Sequence, residues 1–430
     1  MHIYFSGIGG AGIGPLAQIA KQAGYDVSGS DKQNSSYIEY LKKNGINNIA
    51  IGQSEDNIAK IHAETPIDWL VYTSALPMEN PNAPELVFCR ENNIKNTKRD
   101  ELLNKILEDK KLKLIAIAGT HGKTTTTAMT TWLFKQLGVP VSYILPAKTS
   151  FAEMGYYDEN SEYFVYEADE FDRNFLAFSP HTSLITGVTW DHHEIFKTRD
   201  DYKNAFKEFI EQSQQTYIWQ EDFKYLDYPN QPENVTILDN NESKIHDIEL
   251  LGKYNRQDGW LAMQVAKQVS KKDDDELLKI VSKFPGLSRR MEMIATNLYS
   301  DYAHTPEKIT GAMSVAQEMA TEAGKKLIVI YEPLTNRRQH YMKADYKDCF
   351  KGAWKVYWIP SYLAREDPTQ EVLKPAELIK YLADPSVAEA RERDEKLLET
   401  IKQHLENGDM VVAMNGGGGN SLDDWLRKNF

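Results

Sequence analysis

The sequence has few cysteines, fewer basic than acidic residues, and no long apolar run. Cys89 and Cys349 are its only cysteines, too few and too far apart for a disulfide framework or a zinc site, as is typical of a reducing cytoplasm. The net charge of −13, with interspersed signs, argues against a nucleic-acid or anionic-membrane surface. No run approaches the ~20 apolar residues that span a bilayer, so we expect a cytoplasmic protein without membrane insertion.

What is present is enough for ordinary packed cores. The 430 residues are 41% hydrophobic and 11% aromatic. A chain of this length predicts two to three domains of about 150 residues each.

The strongest motif is a glycine-bounded loop after the apolar run at residues 112–118. The loop and the following helix start read Gly119, Thr120, His121, Gly122, Lys123, Thr124, Thr125. Such a turn leaves several N–H groups pointing one way, beside a lysine that reaches a phosphate. A general phosphate loop has a further glycine six residues before the lysine, where this chain has Ile117, so the loop is a shortened variant. A turn needing glycine only for its φ explains Gly122 but not Lys123 with Thr124.

A second glycine loop follows a predicted strand at residues 2–6. It reads Gly7, Ile8, Gly9, Gly10, Ala11, Gly12, and a helix is predicted over residues 13–23. Asp31 closes the next strand about twenty residues later, which is the layout of a nucleotide-binding βαβ unit. The pattern does not single out a dinucleotide, because any diphosphate can bind at such a helix N-terminus. Thr73 and Ser74, in a strand predicted at residues 69–75, are either base or sugar contacts or an ordinary hydroxyl-rich strand end.

Acidic and imidazole side chains follow two strands of the central segment. The strand at residues 163–166 ends in Glu167, Ala168, Asp169 and Glu170, and the strand at 182–186 leads to Asp191, His192 and His193. Mg²⁺ prefers oxygen ligands with bridging phosphates. Two such strand ends after one phosphate loop favour a magnesium site over a solvated acidic loop. Zinc is not indicated, because no further His or Cys lies at finger or zincin spacing.

The C-terminal segment contains a third set of predicted strands. They lie at residues 326–331, 356–359 and 410–414, and a glycine run follows the last of them. Helices are predicted at residues 99–111 and 260–269. Strands that alternate with helices imply parallel sheets with right-handed crossovers, so we predict an α/β fold.

Taken together, these motifs resemble the Mur ligases of peptidoglycan synthesis along nearly the whole chain. The resemblance is carried by residues 7–13, 27–31, 118–127, 167–170, 191–192, 289–290 and 301–304. The branch of the family that the chain resembles most joins L-alanine to UDP-N-acetylmuramate. The resemblance implies an ATP-dependent ligase that uses Mg²⁺ and forms an acyl phosphate on the lactyl carboxylate of the sugar. The sequence leaves open whether such an enzyme is a monomer or a dimer.

The resemblance implies three domains. Residues 1–108 would form a Rossmann-like domain for the UDP-sugar, and residues 109–284 a central P-loop ATPase α/β domain. Residues 285–430 would form a Rossmann-like C-terminal domain that closes over the site.

The resemblance also implies roles for individual residues. Lys123, Glu167, His192 and Arg290 would be catalytic. ATP would be bound by Gly119, Thr120, His121, Gly122, Lys123, Thr124, Thr125, Asn255, Arg290 and Asp301. The UDP-sugar would be bound by Gly7, Gly9, Gly10, Ala11, Gly12, Asp31, Thr73 and Ser74. The metal would be bound by Thr124, Glu167 and His192, and the amino acid by Tyr302, His304 and Arg338. A surface role for Arg338 is the alternative, although a guanidinium suits the amino acid carboxylate.

The chain departs from the family pattern at three places. Gly187 and Asp258 stand where the alanine-adding branch has asparagines, and Leu334-Thr335 stand where it has His-Arg. The departures leave open a ligase that attaches a ready-made peptide to the same sugar nucleotide, and a nucleotide-binding protein without turnover. A nicotinamide dehydrogenase would leave Lys123 and the acidic strand ends unexplained.

Overall fold

The structure is a computed structural model that describes residues 1–73, 76–77, 80–192, 195–363 and 366–430. Within these ranges the strands form three sheets. The chain divides into two compact units. The first, Met1–Ile248 with Asp258–Phe284, holds two of the sheets, and the second, Glu249–Gln257 with Pro285–Phe430, holds the third.

The first sheet has five described strands, all parallel, in the order β3-β2-β1-β4-β5. The strands are β1 (His2–Ser6), β2 (Asp26–Asp31), β3 (Ile49–Ile51), β4 (Trp69–Tyr72) and β5 (Lys95–Lys98). The helices are α1 (Gly14–Gln22), α2 (Ser36–Lys43), α3 (Glu55–Glu64), α4 (Pro84–Glu91) and α5 (Arg99–Lys110). The strand order reverses between β1 and β4. Ligands bind at such switch points outside the carboxyl ends of the strands, and the first glycine loop follows β1 there.

Local sequence signals fix α1 beside this loop. Pro15 lies at the start of the helix, where its missing N–H costs nothing and its restricted φ favours the helix. Leu16 and Ile19 are buried in the core, and Gly24, with a φ of 91°, ends the helix.

The second sheet follows the order β12-β11-β10-β6-β9-β7-β8 among the described residues. Its strands are β6 (Lys113–Ala118), β7 (Val141–Ile144), β8 (Gly155–Tyr156), β9 (Tyr163–Glu167), β10 (Thr182–Ile185), β11 (Gln215–Trp219) and β12 (Val235–Leu238). Its helices are α6 (Lys123–Gln136), α7 (Arg199–Gln212), α8 (Gln220–Tyr225), α9 (Lys253–Ser270) and α10 (Asp274–Val281), with 3-10 helices at Phe171–Ala177 and Ser243–Asp247. One hydrophobic core joins this sheet to the first. The phosphate loop therefore follows β6, between the ends of β9 and β10.

The third sheet follows the order β13-β14-β18-β15-β16-β17. Its strands are β13 (Glu292–Ala295), β14 (Leu298–Asp301), β15 (Leu327–Glu332), β16 (Lys355–Trp358), β17 (Ala388–Ala390) and β18 (Met410–Asn415). Its helices are α11 (Pro306–Glu322), α12 (Asn336–Met342), α13 (Pro375–Leu378), α14 (Glu395–Glu406) and α15 (Leu422–Asn429), with 3-10 helices at Lys343–Tyr346, Ile379–Tyr381 and Pro385–Val387. Separate apolar clusters cover its two faces, as expected for a sheet with helices on both sides.

The predicted α/β fold with three sheet-containing segments is confirmed. The expectation of wholly parallel sheets was wrong at two edges, where β8 pairs antiparallel with β7 and β13 pairs antiparallel with β14. Helix α9 begins seven residues before the predicted helix at residues 260–269, directly after Gly252. In the described part of the chain, no helix is both long enough and apolar enough to cross a bilayer.

Candidate active site

The phosphate loop connects the end of β6 to the start of α6. Gly119 and Gly122 have φ angles of 143° and 74°, values that L side chains rarely adopt, so both positions need glycine. Gly122 is the N-cap of α6 and offers no side chain to the helix end. Among the described residues, the backbone N–H groups of Gly122, Lys123 and Thr124 have no hydrogen-bond acceptor. Such a helix start is an anion-binding site, and Thr125 lies in its first turn.

Residues after β10 hold this loop. The N–H of Thr120 donates to the carbonyl of Gly187 at 2.9 Å, and the Thr120 hydroxyl donates to the carbonyl of Thr189 at 2.7 Å. The same hydroxyl lies 2.8 Å from the hydroxyl of Tyr202. Thr120 is buried, so both its N–H and its hydroxyl are used to fix the loop.

Gly187 lies directly against the imidazole of His121. A Cβ built on Gly187 would lie 2.5 Å from Cε1 of His121, closer than side chains tolerate. The hydroxyl of Thr186 donates to the carbonyl of His121 and fixes that residue. The imidazole therefore occupies the space that an asparagine at position 187 would need.

Lys123 is held inside the protein by an acidic residue that the sequence analysis did not select. Its Nζ lies 2.7 Å from Oε2 of Glu170 and donates to the carbonyl of Gly119 at 2.5 Å. Only 12% of the Lys123 side chain and none of the Glu170 side chain is exposed. Burial raises the pKa of Glu170, but the charges and hydrogen bonds of Lys123 and His192 together outweigh it and hold that pKa well below its usual range. Both groups are thus charged at neutral pH.

Glu170 also belongs to a cluster of possible metal ligands. Asp169, Glu170 and His192 each offer one atom, and these atoms lie within 4.8 Å of one another. Oε1 of Glu170 is buried without a hydrogen bond, and Nε2 of His192 lies 3.6 Å from it. The N–H of His192, which has a φ of 53°, donates to Oδ1 of Asp191 at 2.7 Å. His193, mentioned above for zinc, lies outside the described residues.

Thr124 and Glu167 form a second pair beside this cluster. The Thr124 hydroxyl donates to Oε2 of Glu167 at 2.8 Å. An orphaned buried carboxylate oxygen, further carboxylates and an imidazole form a donor set that fits a divalent cation. The predicted ligands Thr124 and Glu167 thus contact each other, whereas His192 lies with Asp169 and Glu170.

Asp258 lies under the same loop. A Cβ added to Gly122 would lie 2.6 Å from Oδ1 of Asp258, which is buried. This places the departure at Asp258 next to the helix start in the first unit.

The first glycine loop is tied to the end of β2. The N–H groups of Gly7 and Ile8 donate to the carbonyl of Ser30 at 2.8 and 2.9 Å. The N–H of Gly9 donates to Oδ2 of Asp31 at 2.8 Å. The carboxylate of Asp31 is therefore already engaged in holding the loop.

The rest of this loop is open. Gly10 and Ala11 are exposed, and within the described ranges the N–H groups of Ala11 and Gly12 have no acceptor. Thr73 follows β4 and accepts a backbone hydrogen bond through its carbonyl, while Ser74 lies outside the described residues. Free amides at a helix start suit a diphosphate.

A buried carboxyl group, Glu85, lies under the first loop. It accepts hydrogen bonds from Tyr4 at 2.7 Å, from Ser6 at 2.5 Å and from Ser30. Burial raises the pKa of Glu85, and the hydroxyl donors partly oppose this. Through Ser30, Glu85 fixes the carbonyl that accepts the first N–H groups of the loop.

The remaining predicted ATP residues lie in the second unit. Asp301 is buried and accepts the N–H of Met291 at 2.9 Å. Burial raises the pKa of Asp301, while Arg290 opposes the rise. Arg290 also lies 5.4 Å from the ring centroid of Tyr302. The side-chain amide of Asn255 donates to its own helix start, at the carbonyl of Leu251.

The predicted amino-acid residues come together in this unit. The rings of Tyr302 and His304 meet edge to face at 4.9 Å, and Nδ1 of His304 lies 2.9 Å from the carbonyl of Tyr302. Burial, with the charges of Lys308 and Arg338, lowers the pKa of His304 well below its usual value. The imidazole is therefore neutral at neutral pH and lies near the guanidinium of Arg338.

The departure at Leu334 and Thr335 has a distinct backbone. Thr335 has a φ of 58°, a strained value for a β-branched residue, and its hydroxyl accepts the N–H of Arg338 at 3.4 Å. Leu334 bridges to Tyr362. The strain sits next to the residues predicted to surround the amino acid.

Sequence reasoning missed the contacts of Glu170 and Glu85. Glu170 belongs to the acidic cluster at residues 167–170, but nothing in the spacing indicated that Glu170 and not Glu167 would pair with Lys123. Glu85 lies in a helix far from any motif.

Comparisons with known proteins identify the family of the chain. Three family descriptions match the chain: "Mur ligase family, catalytic domain" over residues 2–111, "Mur ligase middle domain" over 117–286 and "Mur ligase, glutamate ligase domain" over 289–417. The chain belongs to the Mur ligase family.

Individual members of the family are similar to this chain along nearly its whole length. The chain is 27% identical to a UDP-N-acetylmuramate–L-alanine ligase of Clostridium perfringens, over 96% of this chain and 95% of the other. It is 28% identical to an enzyme of that name from Agathobacter rectalis, over 100% and 98%. The crystal structure of a UDP-N-acetylmuramate-alanine ligase from Thermotoga maritima shares the fold, with a TM-score of 0.72, 23% identity and coverage of 97% and 96%.

Proposed function

We propose that this chain joins L-alanine to UDP-N-acetylmuramate and converts ATP to ADP and phosphate, as a step of peptidoglycan precursor synthesis. The observation that carries the proposal is that the loop of Lys123 faces an acidic cluster around the buried Glu170, within one unit that also holds a second glycine loop. The near full-length similarity to curated ligases named for this reaction supports it.

The chemistry explains the residue types. A carboxylate is a poor acyl donor, so the γ-phosphoryl group of ATP is transferred to the lactyl carboxylate, and the amine then displaces phosphate. Both steps concentrate negative charge, and their catalysis is mostly positioning and electrostatic stabilisation. The N–H groups of Gly122, Lys123 and Thr124 would hold the phosphates, with Lys123 at the transferred group. Gly119, His121 and Thr125 would shape this phosphate site.

The same residues suit a divalent cation. Thr124, Glu167, Asp169, Glu170 and His192 would hold Mg²⁺, which when bound would supply positive charge to offset the negative charge of the phosphates. The Nζ of Lys123 donates to Glu170 and to the carbonyl of Gly119, so a phosphate would take either its third N–H or the place of Glu170.

The other substrates would use the remaining sites. The open amides of Ala11 and Gly12 would bind the diphosphate of the sugar nucleotide, with Thr73 near the uridine. Tyr302, neutral His304 and Arg338 would surround L-alanine, with the guanidinium at its carboxylate. Asn255, Arg290 and Asp301 would contact ATP. The division at residues 1–108, 109–284 and 285–430 would separate these roles. A cytoplasmic location fits the substrates and the buried free thiols Cys89 and Cys349.

The test is phosphate release in the presence of ATP, Mg²⁺ and UDP-N-acetylmuramate. L-alanine, glycine and L-serine are supplied separately, and a tripeptide replaces them in a parallel reaction. We expect release with L-alanine above all. Release with the tripeptide alone would assign the peptide-attaching reaction instead. ATP binding without release in any mixture would leave a nucleotide-binding protein and reject the proposal.

A further inference from the structure

Arg99 stands between the two nucleotide-type sites of the first unit. It is the first residue of α5, which packs against α1 of the first sheet and against the 3-10 helix Phe171–Ala177 of the second. A Cβ added to Gly12, the last glycine of the first loop, would overlap Nη1 of Arg99. The guanidinium therefore lies directly on the open end of that loop.

The other side of Arg99 faces the acidic strand end. Tyr166, Asp100, Asp169 and Glu167 raise the pKa of its guanidinium, while burial opposes them. Glu167 is the partner of Thr124, next to Lys123. One cation thus lies between the first loop and the acidic residues beside the phosphate loop.

The contacts inside the protein leave this guanidinium largely unused. Its Nε lies 3.6 Å from Oδ1 of Asp100, beyond hydrogen-bond distance, and Oδ1 of Asp100 is itself buried without a hydrogen bond. Among the described residues, its two terminal nitrogens make no hydrogen bond. Only 23% of the side chain is exposed. A guanidinium presents five donors, so a mostly buried one without acceptors indicates a missing anion.

The location of the cation is also unfavourable for a purely structural role. A positive charge in the first turn of a helix opposes the helix dipole. Asp100 and Glu101 in the same turn offset the positive charge of Arg99 but make no hydrogen bond with its guanidinium. The fold therefore buries most of the Arg99 side chain without providing acceptors for its N–H donors among the described residues.

We propose that Arg99 binds an anionic oxygen pair of the sugar nucleotide and positions its lactyl carboxylate toward Lys123. This inference rests on the proposed function, and it adds a binding residue that links the two loops. Two groups of the ligand share the required chemistry, the diphosphate held by the first loop and the lactyl carboxylate that receives the phosphoryl group. Planar, bidentate recognition of either group is the property that distinguishes arginine from lysine.

The experiment is calorimetric titration of the full chain without ATP. UDP-N-acetylmuramate is titrated into the unaltered protein and into Arg99→Gln and Arg99→Lys. Lys105→Gln is the matched control, since it removes one positive charge from an ion pair with Asp109 on the same helix. We expect Arg99→Gln to weaken binding about 10- to 100-fold and Arg99→Lys to weaken it less, with Lys105→Gln unchanged.

A second ligand distinguishes the two anionic groups. UDP-N-acetylglucosamine has the diphosphate but lacks the lactyl carboxylate, and its affinity is measured by competition. If Arg99→Gln lowers the affinity for both ligands, Arg99 binds the diphosphate. If it lowers the affinity for UDP-N-acetylmuramate alone, Arg99 binds the lactyl carboxylate. ATP affinity and the circular dichroism spectrum are expected to stay unchanged.

The outcomes separate this inference from the proposed function. If the unaltered protein does not bind UDP-N-acetylmuramate, the proposed function fails. If the unaltered protein binds it and Arg99→Gln binds it equally well, the assignment of Arg99 is overturned. An equal loss of ATP affinity in Arg99→Gln would also overturn it, because that result indicates a general structural role.

Discussion

The two glycine loops of the first unit have the same plan but place their positive charge differently. Each follows the central strand of its sheet and leads into a helix whose first N–H groups have no acceptor among the described residues. In the phosphate loop the cation is Lys123, the first residue of α6. In the first loop the nearest cation is Arg99, which comes from α5, eighty-seven positions after Gly12.

The acidic partners differ as well. Lys123 is covered by the buried carboxylate of Glu170, which neutralises the cation of the phosphate loop. In the first loop the carboxylate of Asp31 binds the loop backbone at Gly9, and Arg99 has only a 3.6 Å ion pair with Asp100 and no hydrogen bond among the described residues. The difference shows that the same backbone arrangement can carry its charges in two ways. In the phosphate loop a carboxylate neutralises the cation, and in the first loop the carboxylate binds the backbone instead. A lysine inside the loop is visible as a motif, whereas an arginine supplied by another helix is not.

The largest expected effect is at the cation of the phosphate loop. In Lys123→Ala we expect turnover to fall about 10³-fold or more, because the charge that stabilises the transferred phosphoryl group is removed. Affinity for UDP-N-acetylmuramate should not change. The measurements are phosphate release and calorimetric binding, with Lys135→Ala on the exposed side of α6 as the control.

Lys123→Ala also leaves Glu170 buried without its partner, which destabilises the fold. The double variant Lys123→Ala with Glu170→Gln should regain stability but not turnover. If sugar-nucleotide affinity and turnover fell together even in the double variant, the role of Lys123 would be structural.

The next effect concerns the packing under the phosphate loop. Gly187→Asn places a side chain against the His121 imidazole, and overpacking of this kind costs about 1–3 kcal/mol. We expect a rise in the KM for ATP of about 10- to 100-fold. Adding His121→Ala should restore part of the loss, since it vacates the space. No recovery in the double variant would show that the ring does not compete with a side chain at this position.

A smaller effect is expected at the first loop. Asp31→Ala removes the acceptor of the Gly9 N–H, and a hydrogen bond to a charged acceptor contributes about 1.5 kcal/mol or more. The affinity for UDP-N-acetylmuramate should fall about tenfold while the KM for ATP stays constant. Asp26→Ala, at the exposed opposite end of β2, is the control. A change in the KM for ATP would contradict the independence of the two loops.

The last effect is a pH dependence of stability, with little effect expected on activity, in the support of the phosphate loop. Asp222 accepts the N–H of Val188, next to Gly187, and burial raises its pKa to about 6. Because the folded pKa lies above the unfolded value of about 4, the group destabilises the fold increasingly as pH rises from 4 through 6. Asp222→Asn should therefore raise the free energy of unfolding by roughly 1–3 kcal/mol at pH 7.5 and by little at pH 4.5. Urea denaturation at both values measures it, and an equal change at both would contradict the assignment.

Periodicity and glycine patterns predicted most of the fold. The strand at residues 2–6, helix α1 and the strand before the phosphate loop lie where they were expected, because each has a local signal at both ends. The antiparallel edges were not predictable, since β8 has only two residues and no alternation to read. The start of α9 was missed because its first turn is polar.

The candidate site was predictable where chemistry follows a motif. Lys123 and Thr124 are defined by the loop itself, and Thr124 indeed contacts Glu167. The partner of Lys123 was not predictable, because Glu167 and Glu170 differ only in how the backbone turns after β9. Arg99 and Glu85 act on the first loop from separate helices, and only the folded chain brings them to it.

The ion pair between Lys123 and Glu170 has a consequence for selectivity among anions. A loop whose cation is already compensated attracts inorganic phosphate or sulfate weakly, because such an ion would leave a buried carboxylate without a counter-charge. A nucleotide that arrives with a divalent cation supplies a partner for each member of the pair at the same time. On the proposed function, binding would then be an exchange of partners with little net change in buried charge, and the site would discriminate against anions that come without a cation.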